Sequence, residues 1–591
     1  MFCKKERSRL LCRGRFFMPK PNMSKNKYLV FLILLAAVFL SYGNTLSGQF
    51  IWDDKPLISE NPMVREPYLW NRVFTTELYE KSEANYYRPL LTVSFIVNSL
   101  FSGLNTAGYH LVNILLHFCV GYFLYMFLIR TTGDNIVSLA ASLFFLVHPV
   151  HSQTVSYISG RADSLAAIFL LLSLILYIGT DFGRCRAIFG LICFILALLV
   201  KEISVMLPVV LAGLAFQQGR KKMIYLKKVL PYFVIACLYG ALRFGILNFS
   251  VNQNPFLAKK GFALLQVGLI ERFFLFLKTL AIYLGSFLVP VHLHMERIVA
   301  SENIFPAYWA GVIICSFFVF LALRGMRNAD DRMRRAGLFF IFWFFAWLLP
   351  QSAFVFPEIM AEHFLYLPSV SLCFMLAFGI KTFKSRYLVR ISFVVVFAYF
   401  TLLAAYNNRF WLDEMQFFKR TVDYSPFSVR ARDSLAALYL QEGRYADAER
   451  EYKYILSLKG RFAGKQGIEV VEAAALYNLG ILYEKTGRPV DALSSYNSAM
   501  AVNPKMDKAY NNAGLLYQKM GDVANSEIYL KRAIEINGRF YQAMNNLAQL
   551  YAQEGRILEA MGLWKQALVV YPGYEIAQKN MEIASGLVKK D

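Results

Sequence analysis

Charge is scarce in this chain. Asp, Glu, Lys and Arg together make up 17% of its 591 residues, against roughly 25% in ordinary soluble domains. With 57% hydrophobic residues, that scarcity excludes an ordinary water-soluble globule, and also a disordered polar chain. Cysteine is sparse too. Of the eight, Cys3 and Cys12 lie in a basic N-terminal tail, Cys119, Cys193, Cys237, Cys315 and Cys373 in apolar runs, and Cys185 beside one. No CxxC occurs, so neither a disulfide framework nor a zinc module is expected. Acidic residues are the minority charge, 40 against 63 basic, a net +23. From Asp413 onward the two signs nearly balance, 23 basic to 21 acidic. The excess therefore sits in short clusters between apolar runs, as the positive-inside rule expects of a membrane protein, and it calls for no nucleic-acid partner.

What is present divides the chain into two parts. Residues 1–27 form the basic tail, placed in the cytoplasm. Residues 28–406 are a series of apolar segments near the length that spans ~30 Å of hydrocarbon. The first, Tyr28 to Gly43, lacks a following small-x-small site and reads as an anchor rather than a cleaved signal. Further spans are expected at 109–129, 136–152, 163–179, 187–200, 203–218, 229–247, 307–323, 336–350, 365–380 and 389–406. That makes about eleven spans, with loop 44–88 outside. Gly268 to Val289 is apolar but carries Glu271, Arg272 and Lys278, so it reads as interfacial, re-entrant or a hairpin. In the polar part, 411–591, Leu476, Tyr510 and Met544 recur every 34 residues, as do Gly480, Gly514 and Ala548, and Tyr483, Tyr517 and Tyr551. This is the tetratricopeptide period. An earlier copy around Leu435 to Tyr452 is offset by ten extra residues, and Trp411 to Pro426 reads as the last helix of a still earlier one. The expected fold is all-α: a polytopic helical bundle followed by an α-solenoid.

Ionisable groups among apolar spans are costly and usually functional or mutually paired. All seven histidines lie in the membrane part. His148-Pro-Val-His151 is a weak metal spacing and His110, Asn113 and His117 share one helix face; the plainer role is hydrogen bonding inside a polar cavity. Phe50-Ile-Trp-Asp53-Asp54 puts two carboxylates at the outer surface just after the first span. A general base needs a carboxylate that meets both a hydroxyl acceptor and the donor's reactive carbon. Arg88, Arg161 and Lys201 are cations at the same level, beside Asp163 and Glu202. They suit a lipid phosphate, or else pair with Glu202 or with headgroups.

Read in order, Phe50-Ile-Trp-Asp-Asp54, Tyr87-Arg-Pro-Leu90, Tyr109 to His117, His148-Pro-Val-His151, Gly160-Arg-Ala-Asp163, Lys201-Glu202, Asn254-Pro255 and Ala361 to Ser369 resemble the tetratricopeptide-bearing transmembrane O-mannosyltransferases that target cadherins, and their bacterial relatives, within the GT-C superfamily. The resemblance implies a polyprenyl-phosphate-linked sugar donor, an exported or secretory protein acceptor, and contact with membrane lipids. It implies Asp53 as base with Asp54 in support, and a donor site drawn from Arg88, His110, His148, His151, Arg161, Asp163, Lys201, Glu202, Glu362 and His363. No metal ligands are assigned, although a divalent metal stays open. His363 stands where the family usually has Arg, and His294 with Glu296 replaces an Asp-containing motif of animal members. That departure is closer to the bacterial relatives and leaves the sugar open. The implied location is a bacterial inner membrane with the repeats in the periplasm, or the endoplasmic reticulum membrane in a eukaryote. The repeats would select acceptor or, alternatively, form a homodimer. Two other readings compete: a non-catalytic membrane scaffold, and an oligosaccharyl ligase, which would carry its critical polar loop late in the chain.

Overall fold

The computed structural model describes residues 27–75, 78, 87–178, 183–217, 222–246, 269–295, 297–298, 313, 316, 319–320, 324, 326–350, 359–460 and 468–588. The basic tail before residue 27, Asn254-Pro255, Glu296 and most of the expected span 307–323 lie outside them. The described residues form two compact units, one within 27–426 and the other within 427–588. Helices of ten residues or more are numbered below.

In the first unit, five described helical stretches are long and apolar enough to cross a membrane: Lys27–Ser47, Thr106–Thr132, Ile158–Ile178, Met223–Gly245 and Arg386–Trp411. The chain is a membrane protein. The numbered helices are α1 (Lys27–Tyr42), α2 (Pro89–Ser102), α3 (Thr106–Thr132), α4 (Asn135–Val147), α5 (Arg161–Ile178), α6 (Arg184–Val200), α7 (Leu207–Gln217), α8 (Leu230–Ala241), α9 (Leu269–Leu288), α10 (Asp331–Leu349), α11 (Ser369–Lys381), α12 (Arg386–Asn408) and α13 (Glu414–Tyr424). The expected span 136–152 is broken: α4 stops at Val147 and the chain turns by 52° into Pro149–Val155. Pro149 has no N–H to continue the ladder, and His148 caps the break, its Nδ1 accepting from Val150 N at 3.1 Å. Residues 269–288 form one continuous helix, so the hairpin reading of that stretch does not hold.

The basic clusters gather where α3 ends. Gly133, at φ +78°, closes α3, and Asp134 starts α4 by accepting from Ile136 N and Val137 N, both at 3.0 Å. Arg332 donates to the carbonyls of Arg130 (2.7 Å) and Thr131 (3.1 Å), groups that a helix end leaves unsatisfied, and Lys381 pairs with Asp134. The opposite end of α3 carries His110 beside Gly48. The last span returns to that opposite end: Asn408 at the end of α12 donates to the Ser41 carbonyl (2.8 Å) and to Asn44 Oδ1 (2.9 Å). The core between the two ends is aromatic, with Trp343, Trp347, Phe127 and Phe340 fully or nearly fully buried, and Trp343 Nε1 donating to the Leu367 carbonyl at 2.7 Å. Inside lipid such packing and hydrogen bonding, rather than apolar burial alone, hold helices together. A two-stranded antiparallel ladder, Arg297–Ile298 with Ile359–Met360, is the exception to an all-α fold.

The second unit contains four helix pairs, 429–457, 468–502, 507–536 and 541–570, and a final helix Glu575–Val588. The helix of residues 414–424, grouped with the repeats on sequence, belongs to the first unit. Each pair turns at a left-handed glycine: Gly443, Gly487, Gly521 and Gly555, at φ +71° to +81°. Gly480 leaves room for Tyr496, since a Cβ there would lie 2.4 Å from the ring. Successive repeats are linked by asparagines: Asn478 donates to Asp433 (3.0 Å), Asn512 to Tyr477 (3.1 Å), Asn546 to Asn511 (2.8 Å) and Asn580 to Asn545 (3.3 Å).

Candidate functional site

The loop after α1 has one unusual backbone angle. Trp52 sits at φ +49°, a left-handed conformation that a bulky side chain adopts at a cost of about 1–3 kcal/mol. The turn separates the fates of the two carboxylates that follow. Asp54 is fully buried; its Oδ1 accepts from Ser159 N (2.8 Å) and Ser159 Oγ (2.5 Å), its Oδ2 from Ile51 N (3.2 Å). Burial pushes its pKa up to about 7 in spite of those donors, and the neighbouring Asp53 charge adds to the rise. Asp53 itself stays partly exposed. One carboxyl is locked into the protein and the other borders solvent.

The 3₁₀ turn Ile158–Gly160 and the start of α5 that follows it act as a hub. Ser159 holds Asp54. Four residues on, Asp163 pairs with Lys201 at 2.6 Å, at the end of α6. Next to Lys201, Glu202 accepts from Arg88 Nε at 3.2 and 3.1 Å and from its Nη2 at 2.8 Å, and Arg243 Nη1 reaches the same carboxylate at 3.2 Å. Burial first, then the charges of Lys201 and Arg88, hold the pKa of His363 well below the usual imidazole range. Arg88, Lys201 and Arg243 thus gather around the carboxylates of Asp163 and Glu202. Arg243 was missed on sequence, where it read as part of the apolar run 229–247; a lone arginine in such a run was the available signal.

Arg161 is placed differently from Arg88 and Lys201. It is fully buried, and donates to Asn113 Oδ1 (2.8 Å), Asn98 Oδ1 (2.7 Å) and the carbonyls of Tyr109 (3.1 Å) and Ser94 (3.2 Å), with its guanidinium 4.9 Å from the Phe95 ring centre. It ties α2, α3 and α5 together instead of facing the cation cluster. His110 is buried under Gly48, where a Cβ would meet its Nε2 at 2.7 Å.

His148 and His151 also lie within the bundle. His148 Nε2 donates to the Phe287 carbonyl at 3.0 Å, and His151 Nε2 lies 3.3 Å from Ser369 Oγ. Beside them Tyr366 joins His117 Nδ1 (2.8 Å) to Ser164 Oγ (3.3 Å). Glu362 turns away from its neighbour His363. Its Oε1 accepts from His294 N at 2.7 Å, and burial pushes its pKa up to about 8, opposed by the charges of Arg297 and Arg420. Among the described residues no three His, Cys, Asp or Glu side chains are grouped so as to hold a metal ion.

Residues 438–505, 507–540 and 542–571 match models of the tetratricopeptide repeat. Over 77% of its length the chain is 26% identical to human protein O-mannosyl-transferase TMTC1, covering 57% of that protein. It is 22% identical to human TMTC3 over 80% of its own length and 55% of the relative's, and 39% identical to mouse TMTC2 over a shorter stretch, 23% of this chain and 17% of that one. These relatives bear out the resemblance carried by the motifs, and the chain spans little more than half of the two long matches. Among solved structures it is similar to YrrB, a tetratricopeptide protein, at 17% identity over 34% of this chain and 96% of that one, with a TM-score of 0.23.

Proposed function

We propose that the chain is a protein O-glycosyltransferase that moves one sugar, mannose in the first instance, from a polyprenyl phosphate to a Ser or Thr hydroxyl of an exported protein. The observation that carries this reading is the spacing along the 3₁₀ turn Ile158–Gly160 and the start of α5. Ser159, which fixes the carboxylate loop, and Asp163, which anchors the cation cluster, are four residues apart, roughly 6–8 Å along the helix. That is close enough for both to serve one anomeric carbon, which the acceptor hydroxyl approaches opposite the departing phosphate. The clustered cations Arg88, Lys201 and Arg243 suit the phosphate. As Asp53 takes the hydroxyl proton, the hydroxyl oxygen attacks the anomeric carbon. The bond from that carbon to the phosphate oxygen breaks, and polyprenyl phosphate departs with the electron pair. Attack opposite the leaving group inverts the anomeric centre. The cations act most strongly on the charge that develops on the leaving phosphate, where preorganised groups lower the barrier most. Asp54 and Arg161 serve by position.

The repeats, in this reading, select the acceptor, since stacked repeats present an extended binding surface. The test is a membrane assay with several radiolabelled polyprenyl-phosphate sugars, reading label on protein. Transfer from a monophosphate-linked sugar that depends on the chain supports the reading. Absence of transfer from every such donor, with the chain inserted and folded, overturns it in favour of a scaffold.

A further inference from the structure

We infer that Glu414, on the first turn of α13, is a positioning residue that braces the carboxylate loop; the inference rests on the reading of Asp53 as the base. Glu414 bridges two groups on the loop. Its Oε1 accepts from Trp52 N at 2.9 Å, and its Oε2 pairs with Lys55 Nζ at 2.5 Å. These contacts flank Asp53 on both sides. The acceptor of the Trp52 N–H matters because Trp52 holds the φ of +49°, which relaxes toward the ordinary negative region unless its surroundings over-determine it. Those surroundings come from the same stretch of chain. Gln49 N donates to the Leu412 carbonyl at 3.1 Å, and the Trp52 ring lies 6.0 Å from Phe417 while it stacks on Tyr157 at 5.9 Å. Asp413 caps α13 by accepting from Gln416 N at 2.9 Å, which fixes where Glu414 points. Asp54 is held independently by Ser159, so the loop has two anchors with Asp53 between them. Loss of the Glu414 contacts loosens the loop on both sides of Asp53 while Ser159 still holds Asp54.

This predicts a split between the two substitutions available. Glu414→Ala removes both contacts. Glu414→Gln keeps an oxygen for Trp52 N and gives up the ion pair, which is the weaker support because Lys55 is 41% exposed and screened by solvent. Initial rates are read in membranes bearing the full-length chain, against the concentration of radiolabelled polyprenyl-phosphate mannose. Glu414→Ala is expected to lower kcat about 10- to 100-fold, the usual consequence of a misplaced catalytic group, with donor KM within about twofold. Glu414→Gln is expected to recover kcat to within about threefold of wild type. Wild-type kcat in Glu414→Ala overturns the brace, as does a rise in KM alone for both variants. Asp53→Asn in the same membranes separates this inference from its premise. An inactive Asp53→Asn beside a fully active Glu414→Ala overturns the brace and leaves the base intact. An active Asp53→Asn overturns the base and the brace with it.

Discussion

At the scale of single residues, burial sorts the charged groups into those that can meet a ligand and those that hold the site. Arg88 and Arg161 look alike on sequence, since each is an arginine at the outer end of an apolar segment. Arg161 is enclosed among Asn98, Asn113, Phe95 and Tyr109, whereas Arg88 lies with Lys201 and Arg243 on the cation cluster. Alanine substitutions should therefore part ways. Arg161→Ala leaves buried amide oxygens unsatisfied and should lower stability by about 3–5 kcal/mol, read as a lower Tm in detergent. Arg243→Ala and Arg88→Ala should instead raise donor KM about 10- to 100-fold, the worth of a charge-assisted hydrogen bond to phosphate. Asp54 makes a pH prediction. Its folded pKa of about 7 lies above the unfolded value, so the folded state binds the proton more tightly. Stability on this account is full below the unfolded pKa and falls as pH rises toward about 7. Asp54→Asn cannot ionise, and should flatten that part of the Tm-against-pH curve.

At the scale of elements, periodicity decided what the sequence could tell. The repeats were legible because the same residue types return every 34 positions, each return tied to a contact: Gly480 lies under Tyr496, and Tyr483, Tyr517 and Tyr551 precede the turn glycines. Five of the expected spans coincide with long apolar helices among the described residues. The break after Val147 was not legible, because hydropathy runs on through Pro149 while the backbone cannot continue its ladder there. Within the site, sequence gave depth but not direction. Glu362 and His363 are neighbours on a single 3₁₀ turn, yet Glu362 accepts from His294 N while His363 feels the charges of Lys201 and Arg88. The asparagine ladder shows the same limit: Asn546 recurs at the repeat spacing, but its partner Asn511 is seen only once the helices stack. Replacing Asn546 by Ala should cost the array about 1 kcal/mol and shift its unfolding without touching donor KM. Gly480→Ala should cost more, about 1–3 kcal/mol, by overpacking against Tyr496.

For the whole molecule, the ends of α3 define two faces of the membrane unit: the basic end at Arg130, Arg332 and Lys381, and the end that carries the Asp53 loop. The last span finishes on the second face, where Asn408 meets Ser41. The chain therefore leaves the bundle on the face of the proposed chemistry. Removal of residues 427–591 should impair transfer to a folded protein far more than transfer to a short peptide; equal loss for both would assign the array a structural role. The central claim is that Asp53 is the base of a lipid-phosphate-sugar transferase. The most direct test measures label transfer from polyprenyl-phosphate mannose to protein by the full-length chain and by Asp53→Asn, with Tm recorded for both. The account predicts a loss of about 10²–10⁴-fold with Tm and donor KM unchanged. Undiminished transfer by Asp53→Asn would contradict it.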